Sequence, residues 1–187
     1  MEIAESKENI RLLVESFESQ QAACNSTKYK EAQLRVDFIN PFLKSLNWDL
    51  ENTQRLPQYL REVIQEPSVD VEVNEELLRK NPDYALRVGG RSKYFVEVKK
   101  PIIDILADKK AAFQLRRYGW NAALSVSILT NFTNLSIYDC GILPSAEDKQ
   151  ASRQVCRPAP GIADRLDMRW IMHAPFQIKE KNFAVSV

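Results

Sequence analysis

Histidine is nearly absent from this 187-residue chain, with His173 standing alone. Acid–base or metal chemistry built on imidazole is therefore not expected to be central. Cysteine is scarce too. Cys24, Cys140 and Cys156 are odd in number, and no Cys-x-x-Cys spacing occurs. That argues against a disulfide framework and a zinc site and points to free thiols in a reducing compartment. No apolar run approaches the ~20 residues of a membrane span. The start, Met1-Glu2-Ile3-Ala4-Glu5, is too acidic for a secretory leader. A cytoplasmic protein without membrane contact is the expectation. An excess of one charge is also missing: 26 Lys and Arg against 25 Asp and Glu leave +1. A nucleic-acid partner would have to be met by a local patch rather than by the overall field.

What is present suits one domain with a proper core, at 44% hydrophobic and 27% charged residues. Ile10, Leu13, Val14 and Phe17 place a helix over 5–23, and Asn25-Ser26-Thr27 ends it. Leu34, Phe38, Phe42 and Leu46 place a second over 28–46, with Pro41 kinking it. Three strands follow: 69–73 with alternating valines, 84–88, and 94–99. Gly89-Gly90 marks a hairpin between the last two. A helix is expected over 103–118, then strands over 125–130 and 135–138. The order α-β-β-β-α-β-β predicts a mixed sheet in an α/β (α+β) domain. Residues 144–165 read as a loop or linker, and 170–187 show no clean period. The expected organisation is an N-terminal helix and connector (1–27), a core (28–143) and a linker with a C-terminal extension (144–187).

The chemistry concentrates in Pro82-Asp83 and, after thirteen intervening residues, Glu97-Val98-Lys99. Residues two apart on a strand share a face, so Glu97 and Lys99 point together while Val96 and Val98 point to the core. Asp83 joins them only if the hairpin places 83 opposite 97. A two-residue Gly-Gly loop in perfect register would pair 83 with 96 and send Asp83 to the wrong face. An odd loop or a bulge is required. Two adjacent carboxylates repel and invite a cation. Oxygen-only ligands suit Mg²⁺, with Mn²⁺ as its substitute. Lys99 would orient an attacking water or offset charge in a phosphoryl transition state. Alone, a Glu-x-Lys on a strand is more often a solvated ion pair, and Pro-Asp a turn. Together at hairpin distance they are more specific.

Other residues belong to the same reading. Gln114 and Tyr118 lie four apart on the helix face that should cover the sheet. Glu31 falls within an apolar stripe and needs a partner, either Arg35 one turn on or the acidic site. Lys100, Lys110 and Arg117 are the first candidates for phosphate contacts, with Arg87, Arg91, Lys93, Lys109 and Arg116 behind them.

Tyr94 to Pro101, preceded by Pro82 to Arg87, resembles the N-terminal nuclease domain of type IIG restriction-modification enzymes and of type I restriction motor subunits. These belong to the PD-(D/E)xK nucleases. Gln114-Leu115-Arg116-Arg117-Tyr118 is similar to the Q-x-x-x-Y motif of recombination-type exonucleases, and Glu31 to Trp48 to the helix opening such domains. The resemblance covers about 28–140. It implies an αβββαβ core, magnesium-dependent cleavage of double-stranded DNA, and catalytic roles for Asp83, Glu97 and Lys99, with the two acids binding the metal. It makes Gln114 and Tyr118 auxiliary and Glu31 an accessory acid. It also implies methyltransferase, specificity or motor domains for which this chain has no room, and transient pairing on DNA. Two other readings stay open: a non-catalytic nuclease-fold module that binds DNA, and a repair or recombination nuclease of the same superfold.

Overall fold

The computed structural model describes residues 3–73, 76–145 and 153–156. The N-terminal helix α1 (Ile3–Ser19) carries Ile10 and Phe17 on its buried side, and a short turn α2 (Gln21–Cys24) follows. The helix expected over 28–46 begins at Glu31 and runs in three pieces. These are α3 (Glu31–Leu34), a wider π-helical turn (Arg35–Ile39) and α4 (Asn40–Ser45). Pro41 has no amide to give the turn before it. That turn is the one wound wide, in the manner of a π-bulge, and the joining residues keep right-handed helical angles.

The strands that follow are, in chain order, β1 (Val63–Gln65), β2 (Val69–Val73), β3 (Glu76–Lys80), β4 (Tyr84–Val88) and β5 (Arg91–Val98). After helix α5 (Lys109–Asn121) come β6 (Val126–Thr130), β7 (Leu135–Asp139) and β8 (Arg153–Cys156). Six of them form the main sheet, in the order β1-β4-β5-β6-β7-β8. All its pairings are antiparallel except β5 with β6. That parallel pair is bridged by α5, as a parallel connection requires. The mixed sheet with helices on both faces agrees with the α/β class and the αβββαβ order read from the sequence.

Several boundaries differ from that reading. The first core strand is Val63–Gln65. The alternating valines form β2, which pairs instead with β3 in a separate two-stranded ribbon. Helix α5 starts at Lys109, not near 103, because Asp108 caps it by accepting the Ala111 amide at 2.9 Å. Residues 101–107 are turns. Strand β8 lies inside the stretch read as a loop. The rest of 146–187 falls outside the described residues.

The hairpin of β4 and β5 resolves the register question. Val88 pairs with Arg91 across a two-residue turn, with Gly89 and Gly90 both at positive φ, 56° and 78°. The pairing then slips by one, from Arg87↔Ser92 to Leu86↔Tyr94, leaving Lys93 as a bulge. Tyr84 pairs with Val96. Continuing that register sets Asp83 across from Glu97.

Two cores result. Tyr84, Leu86, Val96 and Val98 pack under α1 and the α3–α4 helix, where Phe17, Phe38 and Phe132 meet at ring-centroid distances of 4.9–5.1 Å. Phe132 reaches that cluster from a turn that holds it at φ 66°, a strained value for a bulky residue. Ala85, Phe95 and Leu129 pack under Ala111, Leu115 and Tyr118 of α5. The face carrying Glu97 and Lys99 is thus roofed by a helix, not left open, and Glu97 is only 8% exposed.

Candidate active site

Strands β4 and β5 part at the end of their ladder, and the polar residues sit there. Asp83 lies just before β4, Glu97 is the penultimate residue of β5 and Lys99 follows its end. The Lys99 amide extends the parallel pairing by donating to the Thr130 carbonyl at 2.9 Å, which fixes the backbone beneath its side chain.

Both Asp83 oxygens are engaged. Oδ2 accepts the Val98 amide at 2.7 Å, and Oδ1 accepts from Arg35 Nη1 at 3.2 Å. Arg35 comes from the π-helical turn and also holds Glu66 Oε1 at 2.9 Å and the Tyr84 hydroxyl at 3.3 Å. Tyr84 in turn donates to Asn40 Oδ1 at 2.7 Å. Lys99 Nζ donates to Glu97 Oε1 at 2.7 Å. The other oxygen, Glu97 Oε2, is buried and has no hydrogen-bond partner.

Electrostatics couple these groups. Burial pushes the Asp83 carboxyl above its usual range, and the Val98 amide, Arg35 and Lys99 only partly offset that. Burial also raises Glu97, against the pull of Lys99 and with help from Asp83 and Glu31. Burial works against the Lys99 ammonium, but the hydrogen bond to Glu97 and the fields of Glu97, Glu31 and Asp83 outweigh it, so Lys99 is raised. Burial is the leading cause for both acids, so each holds its proton more tightly than an exposed carboxyl does.

Glu31 belongs to this cluster. Of the two partners considered, Arg35 turns instead to Asp83 and Glu66, while Glu31 takes the backbone amide of Lys100 and feels Lys99 and Asp83. Burial raises its carboxyl as well. Gln114 donates to the Tyr118 hydroxyl. Tyr118 is buried and raised by desolvation, with Glu97 and Lys99 among the charges acting on it. Gln114 itself is exposed, at the outer edge of the helix face expected to be covered.

Hard oxygen donors with one buried lone oxygen fit a divalent cation. Among the described residues no three His, Cys, Asp or Glu side chains are grouped to hold a metal by themselves. Mg²⁺ does not need them, since it keeps several waters and takes one or two carboxylates.

The candidate phosphate contacts divide. Lys110 is exposed on the first turn of α5, Lys100 is half-buried beside Lys99, and Arg117 lies 5.4 Å from the centre of the Phe113 ring. Arg87 and Arg116 are instead held by the fold. Arg87 donates to the Gln58, Tyr59 and Gly90 carbonyls. Arg116 is 3% exposed, with Nε directed at the Asp139 carbonyl. The sequence reading missed Arg35 as a site residue. Its reach to Asp83 crosses 48 positions, and no local pattern marks it. No helix among the described residues is long and apolar enough to cross a membrane.

The chain is 35% identical over 149 residues to the type II restriction enzyme and methyltransferase RM.Eco57I of Escherichia coli. The match takes in 80% of this chain and 15% of that protein, so the chain spans a small part of its relative's length. No protein-family model matches the chain, and no solved structure matches it.

Proposed function

We propose that this chain is the DNA-cleaving domain of a restriction-modification system, a Mg²⁺-dependent endonuclease of the PD-(D/E)xK type. The likeness to a restriction enzyme supports the setting. The observation that carries the chemistry is the meeting of Asp83, Glu97 and Lys99 where β4 and β5 part, with Glu97 Oε2 buried and unpartnered.

Asp83 and Glu97 would hold the metal, Mg²⁺ or in its place Mn²⁺, which when bound would supply polarisation of a phosphodiester oxygen and a more acidic water. The chain's own residues do the rest. The Val98 amide and Arg35 fix the Asp83 carboxylate in one orientation. Lys99, kept charged by its acidic neighbours, orients the attacking water and offsets charge on the phosphate. Glu31 adds negative charge at the rim, and the Gln114–Tyr118 pair steers the strand or the neighbouring acid. Lys100, Lys110 and Arg117 meet the backbone of double-stranded DNA. Methyltransferase, specificity or motor modules supply recognition, and two copies pair transiently on DNA to cut both strands. The protein works in the cytoplasm.

The test is plasmid nicking and linearisation in Mg²⁺ by the wild type, Asp83→Ala and Lys99→Ala, alongside calorimetric Mn²⁺ titration. Cleavage lost in both variants, with Mn²⁺ binding lost in Asp83→Ala, supports the reading. Cleavage that survives both substitutions overturns it. DNA binding without cleavage or Mn²⁺ uptake by the wild type would favour a non-catalytic DNA-binding module.

A further inference from the structure

A single hydroxyl joins the opening helix to the pocket. Tyr84 is fully buried, and its hydroxyl meets two residues of that helix. It accepts from Arg35 Nε at 3.3 Å and donates to Asn40 Oδ1 at 2.7 Å. A phenol has one proton to give. With that proton committed to Asn40, the oxygen presents only lone pairs toward Arg35. The Asn40 side chain therefore sets which way the hydroxyl points.

Arg35 and Asn40 are five positions apart, and the Asn40 amide donates to the Arg35 carbonyl. In a regular α-helix residues so spaced diverge by about 140° around the axis. The wider π-type turn brings both side chains to the same oxygen.

Every nitrogen of Arg35 is in use. Nε serves Tyr84, Nη1 serves Asp83 and Glu66, and Nη2 donates to Gln65 Oε1 at 3.3 Å. The guanidinium is a rigid plane, so holding Nε decides where Nη1 points. Asp83 and Tyr84 are neighbours in the chain, and consecutive residues of an extended strand face opposite ways. Arg35 bonds both, so it lies across the start of β4. Its guanidinium carbon is also 4.9 Å from the centre of the Tyr84 ring. One partner suffices for a buried tyrosine hydroxyl. Tyr84 has two, and the second is the residue that grips Asp83.

We propose, on the basis of the nuclease reading, that Tyr84 and Asn40 are positioning residues for cleavage. The hydroxyl, oriented by Asn40, holds the Arg35 guanidinium at the angle that keeps Asp83 Oδ1 in place. Both residues act through Arg35. The wide helical turn then serves the reaction, since a regular helix would bring only one of the two partners to the hydroxyl.

The test uses the full 187-residue chain as wild type, Tyr84→Phe, Asn40→Ala, Arg35→Lys, and Tyr84→Phe combined with Arg35→Lys. Plasmid cleavage in Mg²⁺, titrated with DNA, separates the maximal rate from the half-saturating DNA concentration. Calorimetry gives Mn²⁺ affinity. Tyr84→Phe keeps the ring and removes the oxygen. Its maximal rate and Mn²⁺ affinity should each fall about tenfold, the worth of one hydrogen bond to a charged group. Its half-saturating DNA concentration should stay within about twofold of the wild type. Asn40→Ala should lower the same two quantities and likewise spare the third. Arg35→Lys keeps the charge and loses the planar fork. In that background Tyr84→Phe should add no more than about twofold, because its effect runs through the guanidinium. A further loss of about tenfold in the double variant overturns the proposal, since the hydroxyl would then act independently of Arg35. A wild type that binds Mn²⁺ and cleaves, with Tyr84→Phe within about twofold of it, overturns this proposal and leaves the nuclease reading standing. A wild type that does neither overturns both. Should Tyr84→Phe fail to fold by circular dichroism, Asn40→Ala, at a half-buried position, is judged by the same criteria.

Discussion

Arg35 and Asp83 lie 48 positions apart in the sequence and 3.2 Å apart in space, and Arg35 contributes one of the two contacts that fix the Asp83 carboxylate. Their side chains are 14% and 16% exposed, so solvent screens the pair only weakly. Removing the guanidinium leaves a buried acid with one partner. We expect Arg35→Ala to cost on the order of 2–4 kcal/mol, somewhat under the value for a fully buried pair broken from one side. Urea denaturation at pH 7 measures this. A loss below about 0.5 kcal/mol would place the pair among ordinary surface ion pairs.

Replacing Asp83 with Asn keeps shape and removes charge. Cleavage in Mg²⁺ should fall by at least about 100-fold, since a group acting on developing charge is worth roughly that much. Mn²⁺ affinity should fall with it, and far-ultraviolet circular dichroism should not change. Retained cleavage in a highly purified variant would remove Asp83 from the chemistry.

Acidity offers a separate check. Burial raises the Glu97 carboxyl, so the folded state holds its proton more tightly than the unfolded state does. The corresponding stability is fully present below the ordinary carboxylate pKa, and it is lost as pH climbs through the raised one. In EDTA, the melting temperature of the wild type relative to Glu97→Gln should therefore decline from about pH 4 toward neutrality. Adding Mg²⁺ at neutral pH should restore part of it in the wild type alone. A relative melting temperature that rises over this interval would reverse the sign of the shift.

At Gly119, α5 lies close against the sheet. A methyl group there would come within 2.3 Å of the Cys140 sulfur and 2.7 Å of the Ser127 hydroxyl. Gly119→Ala should destabilise the domain by about 1–3 kcal/mol through overpacking, despite alanine's better helix propensity. Thermal unfolding decides it, and a stabilised variant would contradict the packing described.

Tyr118→Phe keeps the ring among Leu115 and Phe95 and removes the hydroxyl that accepts from Gln114. Stability should change by no more than about 1.5 kcal/mol, the worth of one hydrogen bond. If the pair steers the site, cleavage should drop by more than that change in folding explains, and DNA-titrated single-turnover rates separate the two.

The sequence carried the elements whose causes are local. The spacing of Leu34, Phe38 and Phe42 marked the opening helix, and alternation around Glu97 marked β5. It failed where the cause was distant. The valines of 69–73 alternate as a core strand would, yet their partner is the charged ribbon Glu76–Lys80, and Val63–Gln65 is too short to announce itself. Helix α5 begins late because Asp108 offers a cap that periodicity does not register. At the site, Asp83, Glu97 and Lys99 were legible because two-residue alternation and hairpin geometry tie them together. Arg35 was not, since only the packed helix brings it to Asp83.

The surplus residue at Lys93 has a consequence for how this domain can vary. It works as a spacer in the hairpin, offsetting an even turn so that distant side chains meet. Side chains at the tip are free to change, so long as position 83 stays opposite position 97. Deleting Lys93 itself would leave a regular two-residue hairpin with that pairing intact, whereas deleting a second residue as well would leave an odd number between the two acids and demand a new bulge to keep them on one side.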